Sequence, residues 1–299
     1  MTRRSLAYFL VAGIASIQPY IAFAQSSPVL DRVKSGGKII IAHREASVPF
    51  SYFDADKKPV GYAIDLCVKL AQAVGAKMGV KSVPTEFVAV TPANRIDTIA
   101  QGKADMECGG TTNNKERREK VSFTVPHFIT GVRMLVKSSA RVERIEDLAE
   151  KTIAVTKGST AQKAVDTANK ERLIGLKLTE VKDHTEAVDM VEKGLASAYM
   201  TDDVILFSLA ATRPDPKSLK VVGKFLTIEP LAIMLPKNDP EFKKIVDEEM
   251  KRLIRSREAN AIYDKWFMQP IPPKGITLNL PVSYLLKDFW KYPTDVVPF

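Results

Sequence analysis

Cysteine, histidine and long apolar runs are what this chain has least of. Among 299 residues there are 2 cysteines and 3 histidines. No zinc-type spacing of cysteine and histidine occurs, so an obvious metal site is excluded. Cys67 and Cys108 form no C-x-x-C pair, and they are either one disulfide or two buried thiols. Past the N-terminal stretch no segment approaches 18 uninterrupted apolar residues, which argues against a membrane span. The formal charge is +9, yet no block of five or six basic residues occurs, and dispersed charge argues against nucleic acid. Also missing are G-x-S-x-G, the phosphate-binding P-loop and a G-x-G-x-x-G after the first strand. An enzyme built on any of those templates is excluded.

The N-terminus opens Met-Thr-Arg-Arg, continues with the apolar stretch from Leu6 to Ile17, and reaches Ala22-Phe23-Ala24 before Gln25. A basic start, a short apolar core and an A-x-A ending describe a secretory signal cleaved after Ala24. The apolar stretch is too short to cross a bilayer. A soluble, exported protein of about 275 residues then remains, more than one hydrophobic core usually supports, so two domains are expected. Removal of Arg3 and Arg4 lowers the charge to about +7, which suits a small anionic ligand.

Strand and helix signals alternate along the chain, as in a parallel sheet with crossover helices. An apolar run from Ile39 to Ala42 reads as a buried strand. Asp65 reads as the N-cap or first-turn acid of a helix ended by Gly75 or Gly79. "TEFVAV" and "DMECGG" read as strands flanking a short helix from Asn94 to Gly102. The pattern restarts with "RIEDLAEK" as a helix, "TIAVT" as a strand and the helix "GSTAQKAVDTANKE". "LKLTEV", "ASAYMTDD", "LKVVG" and "LAIML" are further strands, with "HTEAVDMVEKG" and "VILFSLAA" as helices. One long helix is expected from Asp239 to Phe267, followed by an extended, proline-punctuated tail from Pro270. Two α/β halves with the chain crossing twice leave a cleft, a preferred place for ligands.

The strand ends carry the chemistry. Arg44 follows the first strand, where an α/β protein places a carboxylate or phosphate receptor, or it is a solvated loop arginine. Ser159 and Thr160 open a helix after a strand, as an anion site or an ordinary N-cap. Thr112 and Arg117 together suit a bidentate grip on a carboxylate, whereas Arg118 reads as part of a solvated helical face. Asp202 and Asp203 end a strand, one suited to an ammonium and the other to capping a helix. His184 opens a helix, either as a donor to an anion or as a cap-region histidine. No further carboxylate is apparent in the cleft loops.

These stretches, together with "HREASVPFSYFD", "GYAIDL", "NRI", "ECGGTTNNKERR", "KDH" and "DKWFMQPIPPK", resemble the periplasmic glutamate/aspartate-binding proteins that feed ABC importers, of solute-binding protein family 3. The resemblance runs in order over nearly the whole chain after residue 24. It implies a two-lobed type II periplasmic-binding-protein fold, each lobe a mostly parallel sheet flanked by helices, with the ligand in the interlobe cleft. Lobe 1 then comprises residues 25–130 and 230–299, and lobe 2 residues 131–229. The implied α-carboxylate arginine is Arg117, assisted by Thr112, Ser159 and Thr160. The α-ammonium acid is Asp202. Arg44, Arg95 and His184 clamp the side-chain carboxylate. The family pattern has serines where this chain has Pro92 and Gly110. Pro92 offers neither hydroxyl nor N–H, and a lost charge-assisted bond costs about 1.5–3 kcal/mol. Gly110 keeps its backbone groups.

The function so implied is capture of an amino acid, glutamate ahead of aspartate, by a periplasmic monomer. The amino acid is then delivered to an inner-membrane ABC permease, with no catalysis, cofactor, metal or nucleic acid. Alternatives are another polar ligand such as glutamine, a sensing module without transport, or an exported dehydratase-like enzyme on the same fold.

Overall fold

Residues 27–297 are described by the structure, a computed structural model. The signal segment and its cleavage after Ala24 lie outside the described residues. Two five-stranded sheets organise the chain. Across the first, the order is Thr85–Ala89, Ile39–His43, Met106–Cys108, Met234–Pro236, Val121–Phe123. Its Ile39–His43 strand pairs in parallel with both neighbours, and Met234–Pro236 runs antiparallel to both of its own. The second sheet repeats the plan: Lys177–Val181, Thr152–Thr156, Ala198–Asp202, Val132–Lys137, Leu219–Val222. There Val132–Lys137 is the antiparallel strand. Ile39, Ile41, Ile153 and Val155 are fully buried, as strands covered on both faces require.

Between the sheets the chain passes out through Phe128–Thr130 and back through Glu229–Leu231, which pair antiparallel with Glu229 opposite Thr130. Phe128 is held by stacked rings: its centroid lies 5.0 Å from that of Phe267 and 5.9 Å from that of Tyr263. Such aromatic contacts fix the outgoing crossing against the first sheet's helices.

The Tyr62–Lys77 helix covers one face of the first sheet through Tyr62, Leu66, Leu70 and Val74. Cys67 on that helix is bonded to Cys108 on the Met106–Cys108 strand, with Cα atoms 6.3 Å apart. Of its two sequence readings, Asp65 is the first-turn acid and not the N-cap. Gly61, at φ 139°, holds that position, and a Cβ there would lie 2.3 Å from the Phe50 carbonyl oxygen. Asp65 instead accepts hydrogen bonds from Lys265 Nζ at 2.6 Å and Trp266 Nε1 at 2.7 Å.

Four expectations are corrected. The stretch from Asp239 to Phe267 is two helices, Pro240–Arg255 and Glu258–Phe267, divided where Arg257 adopts the left-handed conformation at φ 64°. "RIEDLAEK" is a single 3₁₀ turn, Ile145–Leu148, because Ala149 leaves helical backbone. "LAIML" contributes to two strands, Glu229–Leu231 in the crossing and Met234–Pro236 in the first sheet. The tail past Pro270 holds the helix Tyr284–Lys291, capped by Ser283 Oγ accepting from Leu286 N at 3.2 Å. Its apolar contacts come from Leu286 and Trp290.

Candidate functional site

Three arginines arrive from three separate loops of the first sheet. Arg44 is the residue after the Ile39–His43 strand; its backbone N–H donates to Ser51 Oγ at 2.8 Å. Arg95 opens the helix Arg95–Ala100. Its Nη1 donates to the Gly110 carbonyl at 3.4 Å, while its buried Nε has no hydrogen-bond partner among the described residues. Arg117 stands on the short helix Lys115–Arg118, whose first turn is fixed by Asn114 Oδ1 accepting from Arg117 N at 2.9 Å. None of the three is a solvated surface arginine: they are 3%, 4% and 6% exposed.

The second sheet supplies the opposite wall. Arg117 Nη1 donates to the Thr112 carbonyl at 3.0 Å, and its Nη2 reaches across to the Gly158 carbonyl at 3.4 Å. Thr112 and Thr160 hydroxyls meet at 3.3 Å over the same divide. Ser159 is the N-cap of the helix Thr160–Arg172, its Oγ accepting from Gln162 N at 3.1 Å. That bond uses the hydroxyl only as an acceptor, so its O–H and the backbone N–H groups at the helix opening can both serve an anion. Gly158, at φ 75°, brings the two walls into backbone contact: a Cβ there would lie 2.9 Å from Ala93 Cα and 3.0 Å from the Pro92 carbonyl oxygen.

His184 begins the helix His184–Glu192, but Asp183 does the capping, accepting from the backbone N–H groups of Thr185 and Glu186. The His184 ring is free for other work. Its Nδ1 lies 2.5 Å from Tyr199 Oη, which in turn lies 2.7 Å from Thr156 Oγ1. Asp202 sits at the N-cap position of the helix Asp203–Thr212 without making a capping bond, and it is buried. Asp203 is turned away to Thr130, whose Oγ1 donates to it at 2.7 Å.

Burial and like charge leave marks on these groups. Burial, then the neighbouring Arg95, pulls Arg44 down to about 10. Arg117 falls to about 9 for the same two reasons. His184 is driven well below its ordinary value by burial and by Arg44 and Arg95, so the imidazole is neutral at pH 7. Asp202 moves the other way. Burial, then Glu229 and Asp203, push it well above the ordinary carboxylate value, against the pull of Arg95 and Arg117. The arrangement is a buried cluster of three guanidiniums, each able to grip a carboxylate.

Two carboxylates belong here that sequence reading leaves out. Glu107, on the Met106–Cys108 strand, is 0% exposed, and neither of its oxygens has a hydrogen-bond partner among the described residues. It interacts electrostatically with Arg44, Arg95 and Arg117. Glu229, on the returning crossing strand, is buried and interacts with Arg95, Arg117 and Asp202. A charged residue between buried neighbours in "MEC" is the signal that marks Glu107; Glu229 carries a comparable one in the buried run "EPL". Arg118 is also corrected. It is half-buried, and its Nη1 donates to Asn113 Oδ1 at 2.8 Å. No group of three or more histidine, cysteine, aspartate or glutamate side chains suited to a metal ion occurs among the described residues.

Comparisons with known proteins place this geometry. The sequence signature of the bacterial extracellular solute-binding proteins, family 3, matches residues 39–269. The L-glutamate/L-aspartate-binding protein of Pseudomonas aeruginosa is 39% identical over 89% of this chain and 88% of its own. The glutamate/aspartate import solute-binding protein of Salmonella typhimurium is 36% identical over 99% of this chain and 97% of its own. Among solved structures, an ancestral arginine-binding protein bound to arginine superposes with a TM-score of 0.70 at 27% identity, covering 77% of this chain and 98% of that one.

Proposed function

The chain belongs to the bacterial extracellular solute-binding proteins, family 3, and from that membership we propose that it captures an acidic amino acid for an ABC importer. The carrying observation is the convergence of Arg44, Arg95 and Arg117, all buried and within electrostatic reach of one another and of Asp202, Glu107 and Glu229. An acidic amino acid brings two carboxylates for the arginines and one ammonium for the acids. Arg117, with Thr112 and the helix opening at Ser159 and Thr160, takes the α-carboxylate. Asp202 takes the α-ammonium; that cation restores the charged form which burial disfavours. Arg44 and Arg95 take the distal carboxylate, with His184 as a neutral hydrogen-bond partner. The Gly110 carbonyl holds Arg95 in place.

The two sheets act as two lobes, residues 25–130 with 230–299 and residues 131–229, hinged at the paired crossings. The ligand ties one to the other, and the closed form is what a membrane permease recognises. The mature protein is a periplasmic monomer, released by cleavage after Ala24. Among the described residues no helix is long and apolar enough to cross a membrane. Glutamate is the preferred ligand over aspartate. With Pro92 in place of a hydroxyl donor, the grip on the distal carboxylate rests on Arg44, Arg95 and His184.

Titration calorimetry against the twenty common amino acids tests the assignment. Glutamate and aspartate are the expected tightest ligands, recovered chemically unchanged after long incubation. Tenfold tighter binding of glutamine or of a basic amino acid would overturn the distal clamp. Conversion of a bound ligand would move the protein to the dehydratase-like class.

A further inference from the structure

The loop that carries Thr112 and Arg117 is braced from behind by a part of the chain that plays no role above. Asn113, between Thr112 and the helix bearing Arg117, is 0% exposed. Its backbone N–H donates to the Pro230 carbonyl at 2.8 Å, and its side-chain Nδ2 donates to the Asp295 carbonyl at 3.0 Å. Asn113 Oδ1 accepts from Arg118. Asp295 is itself pinned: its carboxylate accepts from Lys243 Nζ at 2.8 Å, on the helix Pro240–Arg255. One helix earlier in the tail, buried Trp290 donates its Nε1 hydrogen to the Pro126 carbonyl at 3.3 Å, two residues before the outgoing crossing strand Phe128–Thr130. The tail therefore grips two points of the first sheet's binding edge: the loop presenting Arg117 and the entry to the hinge. The matched family span ends at residue 269, so this grip comes from a segment beyond it.

We propose that the C-terminal segment 283–297 is a positioning strap. It holds the Thr112–Arg117 loop and the outgoing crossing at one setting, and thereby sets ligand affinity without touching ligand. The physical reason is local. The Lys115–Arg118 helix has a single turn, too short to be stable on its own. The position of the Arg117 guanidinium depends on what fixes the residues before it. Asn113 is the residue so fixed, and two of its three bonds lead to the tail or to Arg118. Without the strap the loop samples other settings, and the fraction poised to receive a carboxylate falls, so apparent affinity falls with it.

The proposal rests on the assignment of Arg117 to the ligand's α-carboxylate, and the test separates the two. Three variants are compared with the intact protein: truncation after residue 282, Trp290→Phe and Asp295→Ala. Trp290→Phe keeps an aromatic side chain but removes the N–H donor together with part of the indole's buried volume, while Asp295→Ala frees the tail end from Lys243. Hydrogen exchange of the 111–118 amides is followed without ligand, and glutamate binding is measured by calorimetry well below each variant's melting midpoint. The truncated protein is expected to exchange in 111–118 at least tenfold faster and to bind glutamate at least tenfold more weakly. The point variants are expected to show smaller shifts of the same sign in both readouts. A segment that merely adds stability would lower the melting midpoint and leave both readouts unmoved, and that result overturns the strap. Faster exchange in an intact-length variant with unchanged glutamate affinity overturns the coupling to ligand. If the truncated chain fails to fold, the two point variants decide by the same criteria. Should the intact protein bind no amino acid at all, the assigned function fails, while the exchange measurement still tests the brace.

Discussion

In the binding scheme proposed above each guanidinium has a distinct share, and single substitutions separate the shares. In that scheme Arg117 and Asp202 face groups that every α-amino acid carries. Arg117→Ala and Asp202→Ala are therefore expected to abolish binding of glutamate and glutamine alike, with melting in the absence of ligand showing that both variants fold. In the same scheme Arg44→Ala removes a partner only of a charged side chain. Loss of one charge-assisted contact of about 1.5–3 kcal/mol weakens glutamate at least tenfold, and glutamine far less. Equal weakening of both ligands would mean that Arg44 serves the α-groups or the shape of the pocket. At this scale the sequence was most informative for Arg44, Arg117 and Asp202, because a charged residue at a strand end or helix opening is visible as a pattern; Arg95 came from the family resemblance alone. Glu107 and Glu229 were not visible in that way. What sets them among the arginines is which strands lie side by side, and Met234 reaches its place opposite Glu107 from 127 residues further along the chain.

The elements around the pocket have their own vulnerable points. Gly158 occupies left-handed backbone, and its Cα faces Pro92 and Ala93 on the other sheet at a distance that leaves no room for a methyl group. Gly158→Ala strains the loop in every state but clashes with Pro92 and Ala93 only when the walls meet. At least tenfold weaker ligand binding is expected, and small-angle scattering with saturating glutamate should show a wider particle than the parent protein. An unchanged affinity would show that the walls need not touch for the ligand to be held. The Cys67–Cys108 bond closes a loop with a sequence separation of 41. By the chain-entropy relation a loop of that size is worth about 4 kcal/mol, so Cys67→Ser is expected to lose most of that in urea unfolding. A loss below about 1 kcal/mol would place the stability of that helix-on-strand layer in its packing instead. Element types were legible wherever hydrophobic period and capping agreed, as in the Thr160–Arg172 helix with Ser159 at its N-cap. They were illegible where a single backbone torsion decided, as at Arg257, whose left-handed setting divides an otherwise continuous helical pattern.

Taken as one molecule, the protein holds its three histidines neutral by burial. His127, packed among the rings of Phe50 and Tyr62, is pushed down to about 3. A depressed pKa in the folded state adds stability above the unfolded value of 6.5 and withdraws it as pH falls toward 3. Asp202 acts in the opposite direction, since its raised pKa favours the folded state as pH falls below its folded pKa. Comparison with His127→Phe isolates the histidine. The stability difference between parent and variant is expected to shift by about 1.4 kcal/mol for each pH unit below 6.5, in the variant's favour, when followed by urea unfolding from pH 7 to pH 4.5. A pH-independent difference would show that His127 is charged or solvated when folded.

The placing of one strand bears on the order in which the molecule is made. Met234–Pro236 fills the fourth position of the first sheet and is the partner strand of Val121–Phe123. All five strands of the second sheet lie between residues 132 and 222, without interruption. During synthesis from the N-terminus, the half that is translated first must wait for residue 236, while the half that is translated second can be finished before it. Until then Val121–Phe123 lacks its strand partner, and the surface meant for Met234 stays open. The half of the molecule that leads in sequence is therefore the half that is completed last, only after most of the polypeptide has been made.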